Sequence, residues 1–290
     1  MNEKIIDELF LKFRDEKDIY TPSFLADFDQ VLTNYFDGIY YQKTVLGIDV
    51  YKYSKMDLVS QSLIPYIFTK VYEHSVHLCL THESLFFKDK DQAWFASHFI
   101  DTGDGGFQIF DNPFQALIFC IYFQTSIRIV NSGNIAPLAL KVMKTPLTVR
   151  YVMTNDRIMD FRNRFYGPAI INNARFLSCD KLNRFILDEN TYQWFLLNTN
   201  GIETLRCLTV ADVKEHSSKY INADGKSVII RNNDSDLGIL SADVQQIENI
   251  TIKEETHKVY SVHLQVGFNN LAFFNYKVVV SLGNLNTSGL

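Results

Sequence analysis

Proline and glycine are scarce in this chain, at 6 and 13 of 290 residues, which excludes collagen-like, linker-like and low-complexity architectures. Cysteine is scarcer still. Cys79, Cys120, Cys179 and Cys207 lie far apart, with no C-x-x-C pair and no His at ligand spacing, so neither a disulfide scaffold nor a zinc site is expected. They read as free thiols in a reducing cytosol. An excess of positive charge is also missing: 28 Lys and Arg stand against 33 Asp and Glu, for a net charge of −5. A duplex-binding protein needs a basic surface, so nucleic acid is not an expected partner. A polyphosphate gripped locally by a metal ion stays open. Finally, long apolar runs are lacking. The longest, Phe114 to Phe123, is half a bilayer span and contains Gln115, and the N-terminal MNEKIIDELFLKFRDEKD has no signal-peptide pattern. The expectation is a soluble, cytoplasmic protein without a membrane partner.

What is present is a globular composition, 47% hydrophobic and 14% aromatic, ample for one large domain or two modest ones. Residues 3–14 carry Ile5, Ile6, Leu9, Phe10 and Phe13 at helical spacing, within an N-terminal helical segment spanning 1–39. Lys43 to Tyr51 reads as a buried central strand holding one anomalous acid, and residues 57–80 as a long helix that Pro65 starts or kinks. Trp94 to Ile100 and Gly105 to Phe110 read as two strands around the turn Asp101–Gly106. Asn112-Pro113 opens an apolar helix to about Val130, Pro146 to Thr154 is a strand, Gly167-Pro168 opens a helix to Cys179, and Arg184 to Leu187 is a further strand. This order predicts an α+β domain over 40–220, a mixed sheet with helices on one face. Residues 221–290 hold β-branched or alternating runs (KSVIIR, NITIKEE, KVYSVHLQVGF, FFNYKVVVSL) and read as a small all-β module.

Two aspartates stand where strand chemistry does not put them: Asp49 inside LGIDVYKYS and Asp104 at the tip of TGDGGF. A buried carboxylate needs a partner or a metal. Two of them on neighbouring strands suit Mg²⁺ or Mn²⁺, hard cations that take oxygen ligands. Taken singly, a Gly-Asp-Gly hairpin is most often only a turn.

With GIDVYKYS, TGDGGFQIF, LTVRYVM and FYGPAIINNARFL in that order, the stretch from about residue 40 to 215 resembles the class III nucleotidyl cyclase catalytic domain. The resemblance implies a ferredoxin-like core, two divalent metal ions (Mg²⁺ or Mn²⁺) and a head-to-tail homodimer with active sites at its interface. It implies that Asp49 and Asp104 hold the metals, joined by the backbone carbonyl of Val50. It further implies that the amides around Lys52, Tyr53 and Ser54 bind phosphate oxygens, and that Arg175 stabilises charge at phosphorus from the other subunit.

Three positions depart from the family pattern. The Asn expected four residues before Arg175 is Ile171, with Asn172 and Asn173 displaced by one and two. The adenine-reading acid is replaced by Arg164, and the adenine-reading Lys by Ile100. A guanidinium donates to carbonyl oxygens, which favours uracil, with Tyr51, Tyr53 and Tyr166 available to narrow the pocket. On these residues the chain is most similar to the bacterial Pycsar-type pyrimidine cyclases, which make cyclic UMP or cyclic CMP as an antiphage signal for a separate effector protein. The resulting expectation is a uridylate cyclase. CTP or ATP as substrate, and a catalytically silent cyclase-like regulatory or dimerisation module, stand as the alternatives.

Overall fold

The computed structural model describes residues 40–133, 146–162, 164–180, 182–216, 221, 222, 224–230, 238–247, 249–252, 255–268 and 278–284, together with Leu11. Apart from Leu11, the expected helix over 3–14 and the rest of 1–39 lie outside the described residues.

The centre of the molecule is β1 (Tyr41–Val50), antiparallel to β3 (Gly105–Phe110) on one side and to β4 (Val149–Phe161) on the other. A short β2 (Phe99–Asp101) pairs with β3, giving the order β4-β1-β3-β2. Helix α1 (Leu58–His82), the short α2 (Ser84–Phe87) and α3 (Gln92–Ser97) come between β1 and β2, and α4 (Pro113–Asn131) between β3 and β4. That is the split β-α-β arrangement of a ferredoxin-like layer, and the fold is α+β.

Alternation along β1 decides what each face holds. Leu46, Ile48 and Val50 join Ile64, Ile67 and Val71 of α1 and the buried side chains of α4 in the main core. Val45 instead joins a small cluster on the opposite face with Ala169 of α5 (Pro168–Cys179). Helices were expected on one face; α5 occupies the other. Its close approach requires a glycine in β1, since a Cβ on Gly47 would lie 1.9 Å from Asn173 Oδ1.

Helix α1 runs through Pro65 unbroken. Proline has no N–H for the carbonyl four residues back, and that carbonyl, of Gln61, accepts the Tyr53 hydroxyl at 3.4 Å. Helix α4 starts where Asn112 accepts the Gln115 N–H, with Pro113 in its first turn. Among the described residues it is the one helix long and apolar enough to cross a membrane, yet 89% of its apolar window is buried inside the fold.

Three sequence expectations are corrected. Residues 94–97 are helical, because Asp91 accepts the Trp94 N–H at 2.7 Å and caps α3; only Phe99–Asp101 is strand. After β6 (Phe185–Asp188), parallel to β4, come the unforeseen helices α6 (Glu189–Thr199) and α7 (Val210–His216). Lastly, the described residues of 221–290 are β-rich, but three of their strands belong to the main sheet. There β7 (Gly238–Gln246) precedes a small hairpin of β8 (Ile250–Ile252) and β9 (Glu255–His257). Then β10 (Val259–Phe268) pairs with β6 on one edge, shares that edge with β11 (Val278–Leu282), and takes β7 on the other. Among the described residues the result is a nine-stranded sheet that takes strands from both sides of the expected 220/221 border. An unpaired β6 edge would leave backbone donors and acceptors open, and β10 satisfies them while adding Val262, Leu264 and Val266 to the core. Residues 226–230, expected as a strand, form an irregular strap against the end of α1.

All four cysteines are free thiols.

Candidate active site

The same alternation that buries Ile48 and Val50 turns Asp49 toward α5. Asp49 lies opposite Gly105, and the Val50 N–H donates to the Asp104 carbonyl at 3.1 Å, so β1 and the β2–β3 turn bring both aspartates to one end of the sheet. The turn has local reasons for its sequence. Gly103 sits at φ +96°, its N–H held by the Asp101 carboxylate at 2.7 Å, and a Cβ on Gly105 would lie 2.1 Å from the Ile48 carbonyl. Asp49 and Asp104 line a cavity of about 250 Å³, walled by Arg150, Ala174, Leu177 and Ser178 among others.

Arg150 was not anticipated. It stands opposite Asp49 in the β1–β4 register, and its Nε donates to Asp49 Oδ2 at 2.6 Å. A second nitrogen of the guanidinium, Nη1, donates to the Asp180 carbonyl just past α5. Burial pushes the Asp49 carboxyl above its usual value and Asp104 adds repulsion, while the charge and hydrogen bond of Arg150 oppose both. The chemistry of the donor set fits a hard divalent cation. Among the described residues no group of three or more His, Cys, Asp or Glu could hold a metal. An ion here would therefore draw two carboxylates from the chain and complete its shell with backbone, water or phosphate oxygens, the usual habit of Mg²⁺. Val50, whose carbonyl is the expected third ligand, is buried at the end of β1.

Beyond Val50 the chain turns sharply. The Tyr51 N–H donates to Thr148, Lys52 adopts the left-handed conformation at φ 61°, and Tyr53–Lys55 form one 3-10 turn. The bonds closing this turn come from the Lys55 and Met56 amides, and the first amides of any helical turn lack an acceptor within it. Tyr51, Lys52, Lys55, Asp57, Ser60 and Thr148 line a second cavity of about 460 Å³. The Lys52 ammonium lies 4.8 Å from the Tyr51 ring centre. The half-buried Tyr53 ring packs on the core, and its hydroxyl donates to the Gln61 carbonyl.

Helix α5 separates the two asparagines. Asn173 is fully buried, and its amide donates to the Val45 carbonyl at 2.8 Å, the Val152 carbonyl at 3.0 Å and Thr154 Oγ1 at 3.1 Å. It pins α5 across β1 and β4 and has no donor left for a substrate. Asn172 is half-buried and its Oδ1 accepts from Arg175 Nη1 at 3.3 Å. Ile171 is 50% exposed.

Arg164, expected to read the base, lies at the other end of β4. Arg164 is exposed on β5 (Arg164–Tyr166), paired with Phe161. Its neighbour Phe165 packs on the same small cluster as Ile100, and Tyr166 is 42% exposed. The structure thus packs Ile100 and the Arg164 strand on one cluster, yet only Arg164 lies far from the aspartates; Ile100 sits on β2 just before the turn that carries Asp104 and pairs with Phe107, a wall of the carboxylate cavity.

No family model matches this chain, and no curated protein matches it. Among solved structures it is similar to the catalytic core of a rhodopsin-guanylyl cyclase in complex with ATPalphaS, at 10% identity and a TM-score of 0.45 over 77% of this chain and 96% of the other. It is also similar to an adenylyl cyclase from P. aeruginosa, at 10% identity and a TM-score of 0.46 over 77% and 94%. The guanylate cyclase domain from Catenaria anguillulae in complex with GTP gives 10% and 0.44 over 77% and 97%.

Proposed function

We propose that this chain is a metal-dependent nucleotidyl cyclase that converts UTP to cyclic UMP and pyrophosphate, acting at the interface of a homodimer. The observation that carries the reading is the pair Asp49 and Asp104, on neighbouring strand ends and lining one cavity. Two divalent ions, Mg²⁺ or Mn²⁺, would lower the pKa of the ribose 3′-hydroxyl and neutralise the departing pyrophosphate. The chain's own groups position and stabilise. Asp49, Asp104 and the Val50 carbonyl hold the cations, the amides of Lys52, Tyr53 and Ser54 meet phosphate oxygens, and Lys52 and Lys55, set against Asp57, leave net positive charge in the second cavity. Arg175, with Asn172 beside it, stabilises charge at the α-phosphorus and orients the ribose. Arg164 donates to the carbonyl oxygens of uracil. The cyclic product would act as a messenger for a separate effector protein, in antiphage defence as the Pycsar resemblance implies.

A silent, nucleotide-binding or dimerising module is the second reading. Two observations favour it: Ile171 stands where the amide is expected, and Arg150 already occupies Asp49. Incubating the protein with each of the four nucleoside triphosphates and Mn²⁺, then identifying products by mass spectrometry, separates the two. Cyclic UMP is the expected product. Cyclic CMP or cyclic AMP instead would correct the base assignment, and no cyclic product from any of the four would refute the enzyme.

A further inference from the structure

The far end of the β1–β3 pair holds a cavity that the proposed chemistry does not use. Asp111 follows Phe110, whose partner Thr44 lies five residues back along β1 from Asp49, roughly 17 Å of strand. Beside Asp111 a cavity of about 360 Å³ opens between α2, the start of α4 and residues 221 and 222, the size of a small-molecule site. Leu85, Phe86 and Ile221 give it apolar walls, and Lys88, Lys90 and Asn112 line it with them.

The uncommitted polar groups here are mostly donors. Asn112 is 2% exposed, and its Oδ1 is taken by the Gln115 N–H at 3.1 Å; among the described residues its Nδ2 has no acceptor. A buried amide left open beside a cavity calls for an acceptor that the cavity would receive. Lys88 has no carboxylate partner among the described residues and reaches only Asn222 Oδ1, at 3.4 Å. Lys90 meets Asp111 Oδ2 at 2.6 Å and keeps further N–H groups. Asp111 is held at its other oxygen by Lys43, so among the described residues the exposed Asp89 is the one lining acid that no lysine pairs. The first turn of α4 adds its own partial positive charge.

We propose that this cavity is a second ligand site, for a phosphomonoester with an apolar body. Lys88, Lys90 and the Asn112 amide bind the phosphate oxygens, and the body lies against Leu85, Phe86 and Ile221. Donors converging from the Lys88–Lys90 loop and from the start of α4 suit a tetrahedral anion with three free oxygens better than a planar carboxylate. The bound molecule reinforces a seam already closed by backbone, where the Asn222 N–H donates to the Leu85 carbonyl at 2.8 Å and the Leu85 N–H to the Lys226 carbonyl at 2.9 Å.

The test is calorimetric titration of the full-length protein with phenyl phosphate, at low salt and in excess EDTA. Wild type is expected to bind with a Kd of about a millimolar or below. Asn112→Asp keeps the helix cap and replaces the donor by a charge that repels the anion, and Lys88→Ala removes an exposed ammonium; each is expected to weaken binding roughly tenfold or more. Thermal melts establish that both variants are folded. Inorganic phosphate, which leaves the apolar walls bare, is expected to bind roughly tenfold more weakly than phenyl phosphate. Lys52→Ala, at the other end of β1, is expected to leave the affinity unchanged. No binding by wild type, binding that survives both Asn112→Asp and Lys88→Ala, binding lost in Lys52→Ala, or inorganic phosphate binding as tightly as phenyl phosphate would each overturn the proposal.

Discussion

Glu83 offers a quantitative check on the physics of this fold. It ends α1 with its side chain wholly buried. Its Oε1 accepts from the Tyr122 hydroxyl at 2.8 Å and from the amides of Val228 and Ile229 at 2.9 and 3.2 Å, while Oε2 accepts the Ser227 hydroxyl. Burial pushes its carboxyl up from 4.5 to about 7, against the downward pull of these donors. Because the folded pKa is the higher one, the native state binds the proton more tightly. This contribution to stability is therefore complete below pH 4.5 and lost as pH rises through 7. Between pH 5 and 8 the linkage integral over that shift amounts to about 2.5 kcal/mol. Glu83→Gln keeps an oxygen for the three donors, presents an amide to Ser227, and has no proton to lose. Asp188, also raised to about 7 by burial, is common to both proteins and cancels. Urea unfolding of wild type and variant at pH 5 and pH 8 should show the stability difference moving by about 2.5 kcal/mol in favour of glutamine at the higher pH. A difference that stays flat, or moves toward glutamate, refutes the reasoning.

Four further outcomes follow from the site. Asp49→Asn and Asp104→Asn should each abolish Mn²⁺ binding and cyclase turnover while changing unfolding free energy by no more than about 1 kcal/mol, since a partly exposed charge is being replaced by its isostere. Asn173→Ala should cost about 2–4 kcal/mol in urea unfolding, because two strand carbonyls and a hydroxyl lose their donor in a buried setting. Asn172→Ala should change stability by less than about 0.5 kcal/mol and lower turnover. Arg164→Asp should shift preference away from uracil in competition assays; an equal loss on all four nucleotides would make Arg164 structural.

Local chemistry was legible in the sequence, and long-range pairing was not. Asp49 stood out because one acid interrupts an apolar strand, and the Gly-Asp-Gly turn, the Asn112-Pro113 cap and the Gly167-Pro168 helix start all sit where their residue types demand. The large apolar residues of Trp94 to Ile100 fit a strand as well as a helical turn, and it is the Asp91 cap that decides for the helix. The fate of the tail depended on β10 finding β6, about 75 residues earlier, a non-local pairing that no short pattern encodes. Arg150 was missed for the same reason. An arginine in LTVRYVM reads as an outward-facing strand residue until the register sets it against Asp49. The choice between Asn172 and Asn173 turned on one residue of helical phase: Asn173 falls over Gly47, and Asn172 falls beside Arg175.

The placement of α5 also bears on whether one chain can build a complete site. Ala174, Leu177 and Ser178 face the chain's own carboxylate cavity. At about 100° per residue, Arg175 lies roughly 105° round the helix from the centre of that face and Asn172 roughly 165°. Arg164 is farther still. It pairs with Phe161, eleven residues along β4 from the Arg150 that faces Asp49, roughly 36 Å of extended strand. One nucleotide cannot bridge that length, so if Arg164 and Arg175 serve the same substrate as Asp49, they do so across a two-fold interface. Complementation measures this directly. Asp49→Asn and Arg175→Ala should each be inactive alone. Mixed equally and allowed to exchange subunits, half of the dimers become heterodimers with one intact site of two, for about a quarter of wild-type activity. No recovery, with exchange verified by native mass spectrometry, would place Arg175 in the same chain's site or outside the reaction altogether.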